Sequence, residues 1–401
     1  MNPKPSNFLT LNLELGTLNF ELRTLNFKLQ TILIPLILTA CTKKNNEQIT
    51  ASQQSAISLA YAEGFSITQA GDVKVVEVKY PYQGATSGHR YLLAEKGKSI
   101  PDSLDDLPVI HIPVQRIVCT STTHIPMLDY LNETDKLVGF PTTDYISSSA
   151  MRKRIDAGNV QDLGTDKALN IEILAALKAD LVMGYTISGN YGQFNKIESM
   201  GIPVVMNAEY LEKDPLGRAE WIKFIAAFFN KEAMADSVFT EIERVYLQTK
   251  QLTAGITERP TVMSGIVYRD GWFLPGGENY AARLFNDAGY DYLWKDNPSH
   301  GFIQISFESV YEKAHDADLW IGTGAYETLQ ELKNAEHRYA QFKPFKEKKV
   351  YTYNRRKGAK GGNEFLELGY LRPDIILKDL VAIAHPDLLP AHTLYFHGKL
   401  E

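Results

Sequence analysis

Cysteine is almost absent from this chain. Only Cys41 and Cys119 occur in 401 residues, at no spacing that suits a thiolate metal site, and neither sits where a disulfide partner would be found. An excess of basic charge is absent too. The 42 Lys and Arg are outnumbered by 48 Asp and Glu, which excludes a general nucleic-acid binder with its basic face. Enzyme signatures are also missing: there is no G-x-x-x-x-G-K-[ST] phosphate loop, no G-x-S-x-G nucleophile turn and no H-E-x-x-H pair. Gly322-x-Gly324 lacks the third glycine and the acidic partner of a dinucleotide fingerprint. The nine histidines are scattered. What remains, 44% apolar and 22% charged residues, describes a globular protein long enough for two or three cores.

The stretch Pro215 to Leu252 is the organising element. No proline follows until Pro260, and no glycine lies between Gly217 and Gly255. Trp221, Ile222, Ile225, Phe228 and Phe229, then Ala235, Val238, Ile242 and Val245, recur at helical spacing. Pro215 suits a first helical turn, and Asn230 is expected to cap a second helix of about 22 residues, roughly 33 Å long. Such a rod is long enough to brace two lobes on either side of a cleft.

Upstream, a seven-residue unit repeats from Thr10, Thr17 and Thr24. Three short units are a poor case for a coiled coil, and a translation start placed too early is the other reading; residues 1–40 are excluded from the fold either way. LQTILIPLILTA after Lys28 is too short to span a bilayer, and it ends in the lipobox Leu38-Thr39-Ala40-Cys41, which resembles a bacterial lipoprotein signal. Cys41 is then the lipidated N-terminus, residues 41–63 a polar tether, and the protein works outside the cytoplasm on a membrane surface. Residues 64–112 alternate as strands do and are expected to form a small antiparallel extension, padding on the outside of the first lobe.

Residues 113–214 alternate strand and helix, as do 255–401, with the bridging helices at 215–254 between them. The fold class is therefore α/β: two Rossmann-like lobes, each a mainly parallel sheet flanked by helices. Ligands of such sheets meet the loops beyond the strands' carboxyl ends, here starting at Thr120, Pro141, Gly184 and Asn207. The lobes echo one another. Asn170-Ile171-Glu172 opens a helix ending at Ala179-Asp180-Leu181, and Ser306-Phe307-Glu308 opens one ending at Ala317-Asp318-Leu319.

In order and spacing, RIVCTSTTH, NIEILAALKADLVMGY, ESMGIPVV, the long helix, ISFESVYEKAHDADLW, and VYTYN through HPDLLP resemble the substrate-binding proteins of bacterial importers for iron–siderophore complexes, cobalamin and haem. The resemblance covers about Gln115 to Pro390. It implies a shallow inter-lobe cleft, noncovalent binding of a metal chelate with no catalytic cofactor, and a monomer that docks on an ABC importer permease fed by a cytoplasmic ATPase. It also implies that Glu172 and Glu308 meet arginines of that permease; the local alternative is an acid favoured at a helix start by the dipole.

Cleft candidates follow from position and chemistry. Asn354, Arg355 and Arg356 lead a basic, glycine-rich loop after a strand, and guanidinium groups match carboxylate, catecholate or phosphate oxygens. Tyr145, Tyr185 and Tyr191 lie on first-lobe loops, and Tyr268, Arg269, Trp272, Phe273 and Tyr326 on second-lobe loops, where flat side chains suit a large planar ligand; about half are expected to touch it. Thr122, Thr123 and His124 form a strand-to-helix turn that could cap the helix or, through His124, meet iron or a haem propionate. Two rivals stand beside capture of a chelate: a two-lobed transferase using a nucleotide-linked substrate, and a free divalent metal-ion binder.

Overall fold

A computed structural model describes residues 54–401; the heptads at 10–30 and the lipobox with Cys41 lie outside the described residues. None of the described helices is long and apolar enough to cross a membrane.

The N-terminal lobe is a five-stranded sheet in which Val204–Met206, Leu181–Gly184, Ile117–Cys119, Leu137–Phe140 and Gln161–Asp162 run parallel, in that order. Alternate residues face opposite sides. Ile117, Cys119, Leu181 and Met183 join the main core, while Val118, Val182 and Val204 pack under the helices Ile171–Leu177 and Gly192–Glu198. A sheet covered on both faces explains the nearly continuous apolar strands. In the C-terminal lobe Asp291–Tyr292, Thr261–Ser264, Leu319–Ile321 and Val350–Thr352 are parallel, and Gly398–Lys399 closes the edge antiparallel. A three-stranded antiparallel sheet, Ile266–Tyr268, Gly271–Pro275 and Phe302–Ile305, folds over this lobe.

Between the lobes run helix Pro215–Ala227, capped by the Asp214 carboxylate on Leu216 N–H at 2.8 Å, and helix Glu232–Leu252. The second helix has 21 residues, about 31 Å. Its first end is tied to the N-terminal side by Glu232 with Lys74 and by Lys231 with Glu133 at 3.1 Å. Its far end is tied to the C-terminal lobe through Asp287, which accepts from Tyr246 at 2.8 Å and pairs with Lys250 at 3.0 Å. The rod braces both lobes, as its periodicity predicts. Asn230 does not cap it: that residue adopts φ 56°, ending the first helix in the left-handed region, and its side chain is used by Lys74 (2.8 Å) and Glu95 (2.9 Å) instead.

The extension departs most from expectation. Gln54–Ala56, Phe65–Ala70, Val73–Val78 and His89–Glu95 are antiparallel, but Val109–Ile112 pairs parallel to the last of them. Its inner face joins the main core through Phe65, Ile67, Val76 and Leu93. The described part of the expected tether, from Gln54 on, is bound to the fold. The buried Glu220 carboxylate accepts the N–H groups of Ala60, Tyr61 and Ala62 at 2.8–3.1 Å, and Glu212 accepts those of Glu63 and Gly64. A polar composition reads as a tether, yet here each backbone donor finds a buried acceptor on the helix side.

Candidate ligand cavity between the lobes

A cavity of about 730 Å³ opens where the two lobes and the extension meet. Its floor is the C-terminal lobe, where Ser264, Ile321 and Tyr353 stand at the carboxyl ends of neighbouring parallel strands. Gly265, at φ 82°, turns the chain sharply there; a Cβ would lie 1.9 Å from the Phe273 carbonyl oxygen, so only glycine permits this turn. Ile187 and Tyr210 to Lys213 form the opposite wall. The third wall is the extension's loop: Tyr80, Tyr82, Gln83, Gly84 and Ala85. The rim is apolar and open, with Tyr80 55%, Ile187 66% and Phe302 69% exposed. Across it Lys213 Nζ lies 3.2 Å from His300 Nε2.

One cation is set deep in this apolar space. Arg218, on the first turn of helix Pro215–Ala227, is 8% exposed. Its Nε donates to the Glu212 carbonyl (2.9 Å) and its Nη2 to the Tyr210 carbonyl (2.8 Å), and among the described residues it forms no ion pair. The guanidinium lies 3.9 Å from the ring centre of Tyr280 and 4.8 Å from that of Tyr370. The Tyr280 hydroxyl is buried without a partner among the described residues, and burial raises its pKa well above the usual phenol range. No carboxylate stands at ion-pair distance from this buried cation, although the buried Glu209 carboxyl acts on it from farther off, so an anionic group of a ligand can serve as its direct partner.

A profile of the family described as periplasmic binding protein matches residues 117–356. The chain belongs to the periplasmic binding protein family. Two relatives, both uncharacterized lipoproteins of Methanocaldococcus jannaschii, are 28% identical over 80% of this chain and 78% of theirs, and 27% identical over 66% and 70%. Among solved structures, a periplasmic binding protein from Veillonella parvula aligns with TM-score 0.56 at 16% identity, covering 78% of this chain and 98% of that one. Helicobacter pylori CeuE, solved as a nickel–histidine complex, gives 0.54 at 16% over 78% and 90%. The haem-binding protein HutB of Vibrio cholerae gives 0.52 at 16% over 66% and 98%. These likenesses to solved structures show that the chain shares the fold of those binding proteins.

In this periplasmic binding protein Phe273 lines the cavity, while the other residues picked from sequence stand outside its wall. Trp272 is fully buried in an aromatic cluster with Trp320, Tyr339 and Phe342, its Nε1 donating to the Ser264 carbonyl at 3.0 Å. His124 is fully buried with neither ring nitrogen bonded, and burial lowers its pKa to about 3. Thr123 does not cap the helix His124–Tyr130; its hydroxyl donates to buried Glu209, and Thr122 contributes only its carbonyl to the turn, accepting from Ile125 N–H at 3.1 Å. Arg356 is consumed by Glu364 (2.8 Å) and by the Tyr395 ring at 4.2 Å, and Asn354 by the Ala325 carbonyl and Asn363. Arg355 stays exposed beside Gly398. Tyr268 and Arg269 stack on each other at an exposed hairpin tip, and Tyr326 packs on the core. Tyr185 reaches Asp166 at 3.3 Å. Tyr191 stands one ring behind the wall, edge-on to Tyr82 at 5.9 Å. Tyr145, 64% exposed, sits where the lobes touch, its carbonyl against Gly362. The cavity residues Arg218, Tyr280 and Tyr353 were passed over. Arg218 had one signal: a lone cation inside a helix turn that is otherwise apolar.

Glu172 and Glu308 are both exposed, in the first turns of helices capped by Asn170 and Ser306, whose side chains accept from Ile173 and Ser309 N–H at 3.1 Å. Glu308 pairs with Arg338 at 3.2 Å, which Glu336 also holds.

Proposed function

We propose that this chain is a lipid-anchored, extracytoplasmic capture protein that binds a metal chelate in the inter-lobe cavity and hands it to an ABC importer permease. Ferric siderophores, haem and cobalamin are the candidate guests, bound noncovalently by a monomer. The observation that carries this reading is Arg218: a buried cation with no carboxylate at ion-pair distance, placed in an apolar space of about 730 Å³ with an aromatic rim. Such a space suits a bulky guest with apolar faces and an anionic group. The likeness to haem-binding HutB and to CeuE in its nickel–histidine complex supports the same class of guest. Glu172 and Glu308 are assigned to permease docking, and Cys41 to lipidation.

Thermal-shift titration with ferric siderophores, haem, cobalamin, nucleotides and zinc tests the reading. A guest at a hundredfold excess over its Kd adds about 2.7 kcal/mol, which raises the midpoint by several degrees. A response to nucleotide or bare zinc alone would defeat it.

A further inference from the structure

The end of the chain carries a polar cluster on the cavity's floor, outside the family-matched stretch 117–356. Asp379, on helix Pro373–Ala384, is fully buried. It accepts the backbone N–H groups of Tyr395 (2.8 Å), Phe396 (2.7 Å) and His397 (2.9 Å), and also His392 Nε2 (2.7 Å) and His397 Nδ1 (3.2 Å). A carboxyl that takes three backbone N–H groups serves here as an acceptor, so the proton on this edge of His397 sits on Nδ1 and Nε2 is the ring nitrogen left to offer a lone pair. His397 lines the cavity, edge-on to Phe365 at 5.8 Å. Its Nε2 has no hydrogen-bond partner among the described residues and is not sealed from the cavity.

We propose that Nε2 of His397 is a ligand to the metal of the captured chelate, held in register by Asp379. This rests on the capture reading and goes beyond it by requiring a guest with an exchangeable coordination position. A carboxylate on the far nitrogen is the usual outer partner of a metal-bound imidazole, fixing its tautomer and its aim. Among the described residues no group of three or more His, Cys, Asp or Glu could hold a bare ion, so the chelator must supply the remaining donors. The step is ligand exchange: the Nε2–metal bond forms, a metal–water bond breaks, water leaves, and the oxidation state is unchanged.

The test uses the full chain with haemin and aquacobalamin, whose metals carry displaceable ligands, beside dicyanohaemin and cyanocobalamin, whose positions are filled. The open complexes are expected to show an imidazole-bound absorption spectrum in the native protein. His397→Gln is expected to abolish that spectrum and weaken the open complexes at least tenfold, leaving the closed ones within twofold; free imidazole should restore the spectrum in His397→Gly. An unaltered metal spectrum in the native protein overturns the inference, as does equal loss of open and closed complexes in the variant, which would mark a packing role. If no complex binds, here or in the capture screen, the capture reading fails and takes this inference with it.

Discussion

Glu367, on the C-terminal lobe, accepts the backbone N–H of Ser148, on the N-terminal lobe, at 2.9 Å. The same carboxyl takes the Ser147 N–H at 2.6 Å, and a second tie lies close by, Arg372 donating to the Tyr130 hydroxyl at 2.6 Å. The lobes are thus latched directly to one another as well as through the rod.

The latch titrates. Burial raises the Glu367 pKa to about 7, the two N–H bonds oppose the rise, and the nearby Asp129 carboxyl adds to it. The folded value lies above the unfolded one, so the protonated form contributes stability that is fully present below pH ~4.5 and is lost as pH rises through 7. The shift corresponds to on the order of 3 kcal/mol. Thermal midpoints measured from pH 5 to 8 should fall more steeply for the native chain than for Glu367→Gln. Parallel curves would remove Glu367 as the titrating group.

Arg218 gives the second expectation. Removing a buried guanidinium that pairs with a ligand anion costs roughly 2–3 kcal/mol, thirtyfold or more in Kd. Arg218→Ala should lose that much affinity for an anionic chelate, and far less for the same chelate with its carboxylates esterified. Since Arg218 also holds two carbonyls, the midpoint of the empty protein is to be measured alongside. Equal losses for both forms of the guest would show a packing role only.

Much of the architecture was readable because it is periodic. The rod from Glu232 to Leu252, the apolar strands and the caps Asn170 and Ser306 are all local patterns. The cavity was hidden because its chemistry is decided by distant pairings. Arg356 is a free cation in the sequence, but Glu364 and Tyr395 claim it, eight and 39 positions away. Trp272 looks like a loop aromatic until the chain reverses between Tyr268 and Gly271 and sets its ring against Trp320. Asn230 reads alike whether it caps a helix or ends one in the left-handed region.

The two exposed acids at the lobe tips give a third expectation. Their helix starts are equivalent, neither lines the cavity, and Glu308 keeps 77% of its side chain in water despite Arg338. Reversal of both, Glu172→Lys with Glu308→Lys, should abolish uptake in cells while chelate affinity of the purified protein stays within twofold, because exposed charges steer and register partners without shaping the cavity. A fall in affinity equal to the fall in uptake would move these residues from docking to folding.

The loop Tyr80 to Ala85 lies outside the family-matched stretch, yet it closes the third side of the cavity. Tyr82 is steadied from behind by Tyr191 at 5.9 Å and by Gly189, whose φ of 69° and missing side chain let the ring approach. A Cβ at Gly189 would stand 2.7 Å from that ring and push it toward the cavity. Tyr82→Ala removes an aromatic contact of about 0.5–1.5 kcal/mol and should weaken the guest roughly three- to tenfold. Gly189→Ala should weaken it too, although its substitution lies behind the wall. Both variants should retain the native rod and core, so circular dichroism is expected to be unchanged. Native affinity in both would show that the guest never reaches the extension.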